Sequence, residues 1–194
     1  MSQKISDGCG FLYFVGHGNP TFWATHYNGD YKNWTEGFGN KDILKLSHKG
    51  MYPIMMVGGC HNSQFDVSPL NLLIDPEHSL YFSTHSFWCW SWAFITRFNG
   101  GAIASIGSTG YGGVNIGDHN ANEIPDCVEG ADGWFETQFF RIYNEEHVDI
   151  LGETYSQVIS DYIDNFPIYN DRYDCKIIET HVLMGDPTLK IGGY

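Results

Sequence analysis

Residues 53–60 read Pro53-Ile54-Met55-Met56-Val57-Gly58-Gly59-Cys60. An apolar run with no polar interruption fits a strand covered on both faces, and here two glycines end it on a thiol. The same design stands upstream, where Phe11-Leu12-Tyr13-Phe14-Val15 runs into Gly16-His17-Gly18. It recurs downstream, where Ala102-Ile103-Ala104-Ser105-Ile106 runs into Gly107-Ser108-Thr109-Gly110. Three runs, each stopped by glycine beside a reactive or polar side chain, predict a parallel sheet with a site at its carboxyl edge.

Helical patterns lie between and after these runs. Ser86–Asn99 is apolar nearly all round, as a helix sandwiched between layers would be, and its Trp88, Trp90 and Trp92 read as core rather than as a ligand platform. Phe135, Phe139, Ile142 and Tyr143 form a stripe on a helix over about 133–146, and Leu151 to Phe166 carries a second, clearly amphipathic pattern. A last apolar strand, Thr188-Leu189-Lys190-Ile191, is expected after the turn Gly185-Asp186-Pro187. Alternating strands and helices make the chain α/β. With no repeat, low-complexity tract or linker, residues 1–194 read as one domain.

The 194 residues include 10 Lys+Arg and 23 Asp+Glu, a net charge of −13, with 42% hydrophobic and 16% aromatic residues. Such a chain is too apolar for a disordered polyanion and lacks the basic face that nucleic acid requires. No apolar run approaches the ~20 residues of a membrane span. No signal peptide is recognisable in Met1–Gly10, where no apolar stretch follows Lys4. The five cysteines are odd in number and form no CxxC pair, which argues against a disulfide scaffold. The charge is unevenly placed, at net −1 over residues 1–97 and net −12 over 98–194. Asp118, Glu123, Asp126, Glu129, Asp132 and Glu136 follow one another without an intervening Lys or Arg. This tract reads as a solvated loop, as the rim of a pocket for a basic side chain, or as a Ca²⁺ site.

If the strands ending at His17 and Cys60 are parallel neighbours, both side chains emerge at one edge, about 5–7 Å apart by the strand spacing. That suits nucleophilic catalysis, in which the thiolate attacks and an imidazole protonates the leaving group. The amides of Gly18 and Cys60 would then face a developing oxyanion. A metal site built from His17, Cys60, His61 and His85 is the rival reading. It is disfavoured because zinc ligands usually come in close pairs and adjacent side chains on extended backbone point apart. The remaining histidines (His26, His48, His78, His119, His147, His181) read as surface or satisfied core residues.

Four segments together carry a resemblance: Tyr13–Gly18, Val57–Asp66, Gly100–Thr109 and Leu183–Leu189. In order and spacing, across essentially the whole chain, they resemble the gingipain family of cysteine peptidases, which shares its fold with caspases and legumains. The resemblance implies a three-layer α/β/α sandwich with a mostly parallel, caspase-hemoglobinase-like sheet. It implies that His17 matches the catalytic histidine, Cys60 the nucleophile, and the amides of Gly18 and Cys60 the oxyanion hole. Ser108, Thr109, Gly110, Tyr111 and Gly112 would border the pocket for the residue before the scissile bond. Gly185-Asp186-Pro187 would lead into the last strand.

The expected function is a cysteine endopeptidase acting on protein or peptide substrates, needing no cofactor, with Ca²⁺ as a structural ion at most. The acidic tract, with Asp118 at its head, makes Arg or Lys the preferred residue before the cut. The resemblance implies further strands upstream of the histidine, from which relatives take an S1 specificity residue and sometimes a third catalytic acid. The chain is therefore expected to be either the C-terminal, catalytic half of a longer region with an upstream subdomain as partner, or a reduced version. By the same analogy it is secreted or displayed at the cell surface. The alternatives are a module that binds extended peptides without cleaving them and a metal-dependent hydrolase.

Overall fold

In a computed structural model, which describes residues 1–47 and 50–193, the three glycine-stopped runs become neighbouring strands. The strands are β1 (Phe11–Val15), β2 (His17–Asn19), β3 (Phe22–Ala24), β4 (His26–Tyr27), β5 (Asp30–Trp34), β6 (Phe38–Gly39), β7 (Ile54–Gly58), β8 (Ala104–Ser108) and β9 (His181–Met184). The helices are α1 (Ser2–Ser6), α2 (Asn40–Ile43), α3 (Asn71–Ile74), α4 (Pro76–Phe82), α5 (Trp90–Ile95), α6 (Asp126–Glu129), α7 (Ala131–Glu145), α8 (Leu151–Asn165) and α9 (Arg172–Thr180). The central sheet has the order β1-β7-β8-β9. Its first three strands are parallel and β9 runs antiparallel to β8. The chain therefore leaves β1, β7 and β8 at the same edge, and β9 begins there.

Alternation along the strands divides the core in two, because successive side chains point to opposite faces. Ile54 and Met56 of β7 join Ala104 and Ile106 of β8 under Phe135, Phe139 and Ile142 of α7 and Val158 and Tyr162 of α8. Met55 and Val57 face the other way, onto Phe14, Trp23, Phe38, Ile43, Trp90 and Phe94. The result is the expected α/β/α sandwich, with the β2–β3–β6 sheet completing one outer layer.

Two expectations need correction. The helix expected over 86–99 shrinks to the six residues of α5, and only Trp90 of its three tryptophans is buried. Trp88 and Trp92 are 44% and 46% exposed. Residues two apart on a helix stand some 200° apart, so Trp90 and Trp92 cannot both face one core, and Trp88 lies ahead of the helix. Trp90 fills the core and donates its indole N–H to Phe38 O, which leaves its neighbours turned outward. The second correction concerns the end of the chain. Residues 188–191 form turns and a single bridge, Ile150 to Lys190, while the last strand is β9. Gly185-Asp186-Pro187 thus follows the last strand instead of preceding it. The Asp186 carboxylate accepts from the Thr188 amide and hydroxyl, closing a local turn that competes with extended pairing.

Candidate active site

The segments that carry His17 and Cys60 are tied to each other by a buried asparagine. His17 opens the β2–β3 hairpin, whose turn is fixed by Asn19 Oδ1 accepting from Thr21 N at 2.8 Å. Asn62, two residues past Cys60 and fully buried, donates its amide to Asn19 O at 2.8 Å and to Phe22 O at 3.1 Å. Gly18 lies so close to the Cys60 loop that a Cβ there would sit 2.8 Å from Cys60 O and collide with the Asn62 side chain. Any residue larger than glycine would wedge the histidine and cysteine segments apart. His17 is exposed and Cys60 half-buried, so both reach solvent. All five cysteines are free.

A second set of bonds ties the Cys60 loop to the loop after β8. His61, in left-handed backbone at φ 59°, donates its amide to Gly110 O at 2.7 Å, and Ser63 N donates to Ser108 O at 3.0 Å. The His61 ring meets Tyr111 edge-on with centroids 4.4 Å apart, and its Nδ1 pairs with Gln64 Oε1 at 2.9 Å. Beyond Tyr111 the chain passes close beneath the thiol. A Cβ on Gly112 would lie 3.8 Å from Cys60 Sγ and collide with Asp132 Oδ2. One glycine thus separates the thiol from a carboxylate.

That carboxylate belongs to the first turn of α7. Asp132 accepts from Gly113 N at 2.9 Å through Oδ2, while its own amide donates to Gly113 O at 3.1 Å. Its Oδ1 has no hydrogen-bond partner and lies 4.0 Å from His181 Nε2, which is likewise unpartnered and buried. His181 donates from Nδ1 to Ile177 O at 2.7 Å and stacks on Phe135. Glu136 follows one helical turn later on the same face. It accepts the Tyr13 hydroxyl at 2.5 Å. Burial pushes the Asp132 carboxyl above its ordinary range, against the pull of His181, and pushes Glu136 up to about 8. Once ionised, a poorly solvated carboxylate attracts a nearby cation more strongly than an exposed one does.

The acidic tract is therefore two structures. Asp118 is exposed on a loop where it accepts from the amides of Asn122 and Glu123, both at 3.1 Å. Asp126 pairs with His119, and Glu129 accepts from Asn120 and Asn122. Only Asp132 and Glu136 turn inward. Of the other pocket residues expected from sequence, Tyr111 is 55% exposed beside the thiol loop. Ser108 is buried, with its hydroxyl donating to Gly110 O, and Thr109 N is taken by Thr180 O. His85 pairs with Ser79 O. His48 lies outside the described residues. Among the described residues no three His, Cys, Asp or Glu side chains converge as a metal site, and no helix is long and apolar enough to cross a membrane.

Comparison with known proteins assigns the chain to a family of peptidases and shows the fold it shares. The family model for peptidase family C25 matches residues 1–192, so the chain belongs to that family, the gingipain family of cysteine peptidases. The structure resembles a crystal structure of gingipain R, described as an Arg-specific cysteine proteinase. The TM-score is 0.64 at 16% identity, over 98% of this chain and 35% of that one. A complex of the pro- and mature domains of RgpB from Porphyromonas gingivalis matches at TM-score 0.61 and 17% identity, over 96% of this chain and 35% of that one. At such identities the likeness shows a shared fold, and the chain spans about a third (35%) of the length of these solved gingipain chains. No curated protein sequence matches it.

Proposed function

We propose that this chain is the catalytic unit of a cysteine endopeptidase that cuts after Arg or Lys, with Cys60 as nucleophile and His17 as proton donor. The Cys60 thiolate adds to the scissile carbonyl, and the amides of Gly18 and Cys60 hold the resulting oxyanion. His17 gives a proton to the departing amine as the C–N bond breaks, leaving a thioester on Cys60. Water then hydrolyses that thioester, releasing the acid and restoring the thiol. The observation that carries this reading is the close seating of Gly18 against Cys60, which brings the histidine and cysteine segments together at an accessible sheet edge.

In this reading the basic side chain before the cut is received by Asp132. Its carboxylate lies across Gly112 from the thiol, whereas Asp118 is spent on its own loop. We also propose an upstream subdomain packed along β1, the strand at one end of the sheet, where Tyr13 and Val15 are 47% and 53% exposed. Cys60→Ala is expected to abolish cleavage of Arg and Lys peptides. Turnover that survives in this variant would overturn the assignment.

A further inference from the structure

Strand order sets the polarity of the site. Along the carboxyl edge the loops follow as His17 after β1, Cys60 after β7 and Gly112 after β8. With Asp132 behind Gly112, the acyl half of a substrate lies on the β8 side of the thiol. The leaving half must then lie on the β1 side, within hydrogen-bond reach of His17, because His17 protonates its amine. On that side the chain builds a cleft of about 250 Å³ walled by His17, Gly18, Asn19, Phe22, Trp34 and Thr35.

This cleft is predominantly apolar, accessible and held in shape. Phe22 and Trp34 are 38% and 51% exposed, so part of each ring stays open to the cleft. The Trp34 ring stands edge-on to His17 at 5.0 Å and lies against His26 at 3.9 Å between centroids. The β4–β5 hairpin that carries it is closed by the Asp30 carboxylate, which accepts from the amides of Lys32 and Asn33. At its open end Thr35 N donates to Thr25 O at 2.8 Å. The residues lining the cleft include no carboxylate.

We propose that this cleft is the subsite for the first residue of the leaving peptide, and that it selects a large apolar or aromatic side chain against Trp34 and Phe22. The inference rests on the reading of Cys60 and His17 given above. A side chain one carbon removed from the amine that His17 protonates falls on this wall. Burial of one such side chain is worth roughly 10- to 100-fold in kcat/KM over glycine.

The test uses peptides with Arg before the cut and Phe, Leu, Gly, Asp or Lys after it, alongside an arginyl chloromethyl ketone, which has no leaving peptide. Phe and Leu are expected to exceed Gly by at least about 10-fold in kcat/KM. Trp34→Ala should bring the Phe-to-Gly ratio close to one, Trp34→Phe should keep most of it, and the ketone should still label Cys60 in both variants. If Trp34 served only to hold His17 in place, both peptides would slow together and the ratio would stay. A wild-type ratio near one, or a ratio that persists in Trp34→Ala while the ketone labels Cys60, overturns the inference and leaves the catalytic reading standing. Absence of both cleavage and labelling in the wild-type protein overturns the catalytic reading, and this inference with it.

Discussion

The wall that follows β1 is made of short antiparallel hairpins and leaves His17, Phe22 and Trp34 accessible, whereas the wall that follows β8 packs Asp132 and Glu136 into the layer beneath α7. The first side is aromatic and open. The second is acidic and closed, and its unpartnered atoms, Asp132 Oδ1, Glu136 Oε1 and His181 Nε2, are all buried. The contrast fits the roles proposed for each side. A group that hands a proton to a leaving amine has to exchange protons with solvent between turnovers, so exposure serves it. In the proposed reading, a charge that selects a cation gains from poor solvation, at the cost of a carboxyl with a raised pKa.

Removing the open wall's acid should have the largest effect. His17→Ala is expected to lower kcat by roughly 10²- to 10⁴-fold while iodoacetamide still alkylates Cys60. Comparable turnover in the variant would show that the exposed histidine is not the proton donor. On the closed wall, Asp132→Asn should cut the preference for Arg or Lys over a neutral residue by roughly 10- to 100-fold, the worth of a lost buried ion pair partner. Asp118→Asn should leave that preference alone. Because burial raises the Asp132 pKa, its charged form is depleted at acid pH. The basic preference of the wild-type protein should therefore grow as pH climbs past the ordinary carboxylate range.

A smaller effect separates the walls by stability instead of by rate. Glu136 holds its proton in the fold up to about pH 8, whereas the unfolded chain releases it near 4.5. The stabilising preference for the neutral form is thus complete below the unfolded value and is lost as pH rises toward 8. Glu136→Gln, which still offers Tyr13 an acceptor, should flatten this dependence by up to about 1.4 kcal/mol per pH unit. Urea unfolding at several pH values between these limits reads it out, and identical slopes in the two proteins would contradict the buried-acid account.

What the sequence discloses differs between the two walls for a physical reason. The sheet and both glycine-flanked residues are legible because uninterrupted apolar runs ending in glycine are local signals, and β1, β7 and β8 fall within two residues of those runs. The hairpins β2 to β6 are not legible, since strands of two to five residues with mixed polarity have too little period to detect. β9 is hidden because α9 runs straight into it at His181 with no Gly or Pro between them. Asp132 was visible only as one acid among six. What distinguishes it, the return of the Gly112–Gly113 loop onto the start of α7, is a contact between residues 19 positions apart in the chain. His181 reads as an ordinary core histidine, and only the fold sets its Nε2 opposite Asp132.

The most direct measurement maps which of the five free thiols, Cys9, Cys60, Cys89, Cys127 and Cys175, reacts with an arginyl chloromethyl ketone at near-stoichiometric dose. Peptide mass spectrometry should find a single adduct on Cys60, abolished in Cys60→Ala and slowed in Asp132→Asn. An adduct on another cysteine, or one distributed according to exposure alone, would contradict the assignment of Cys60 as the nucleophile.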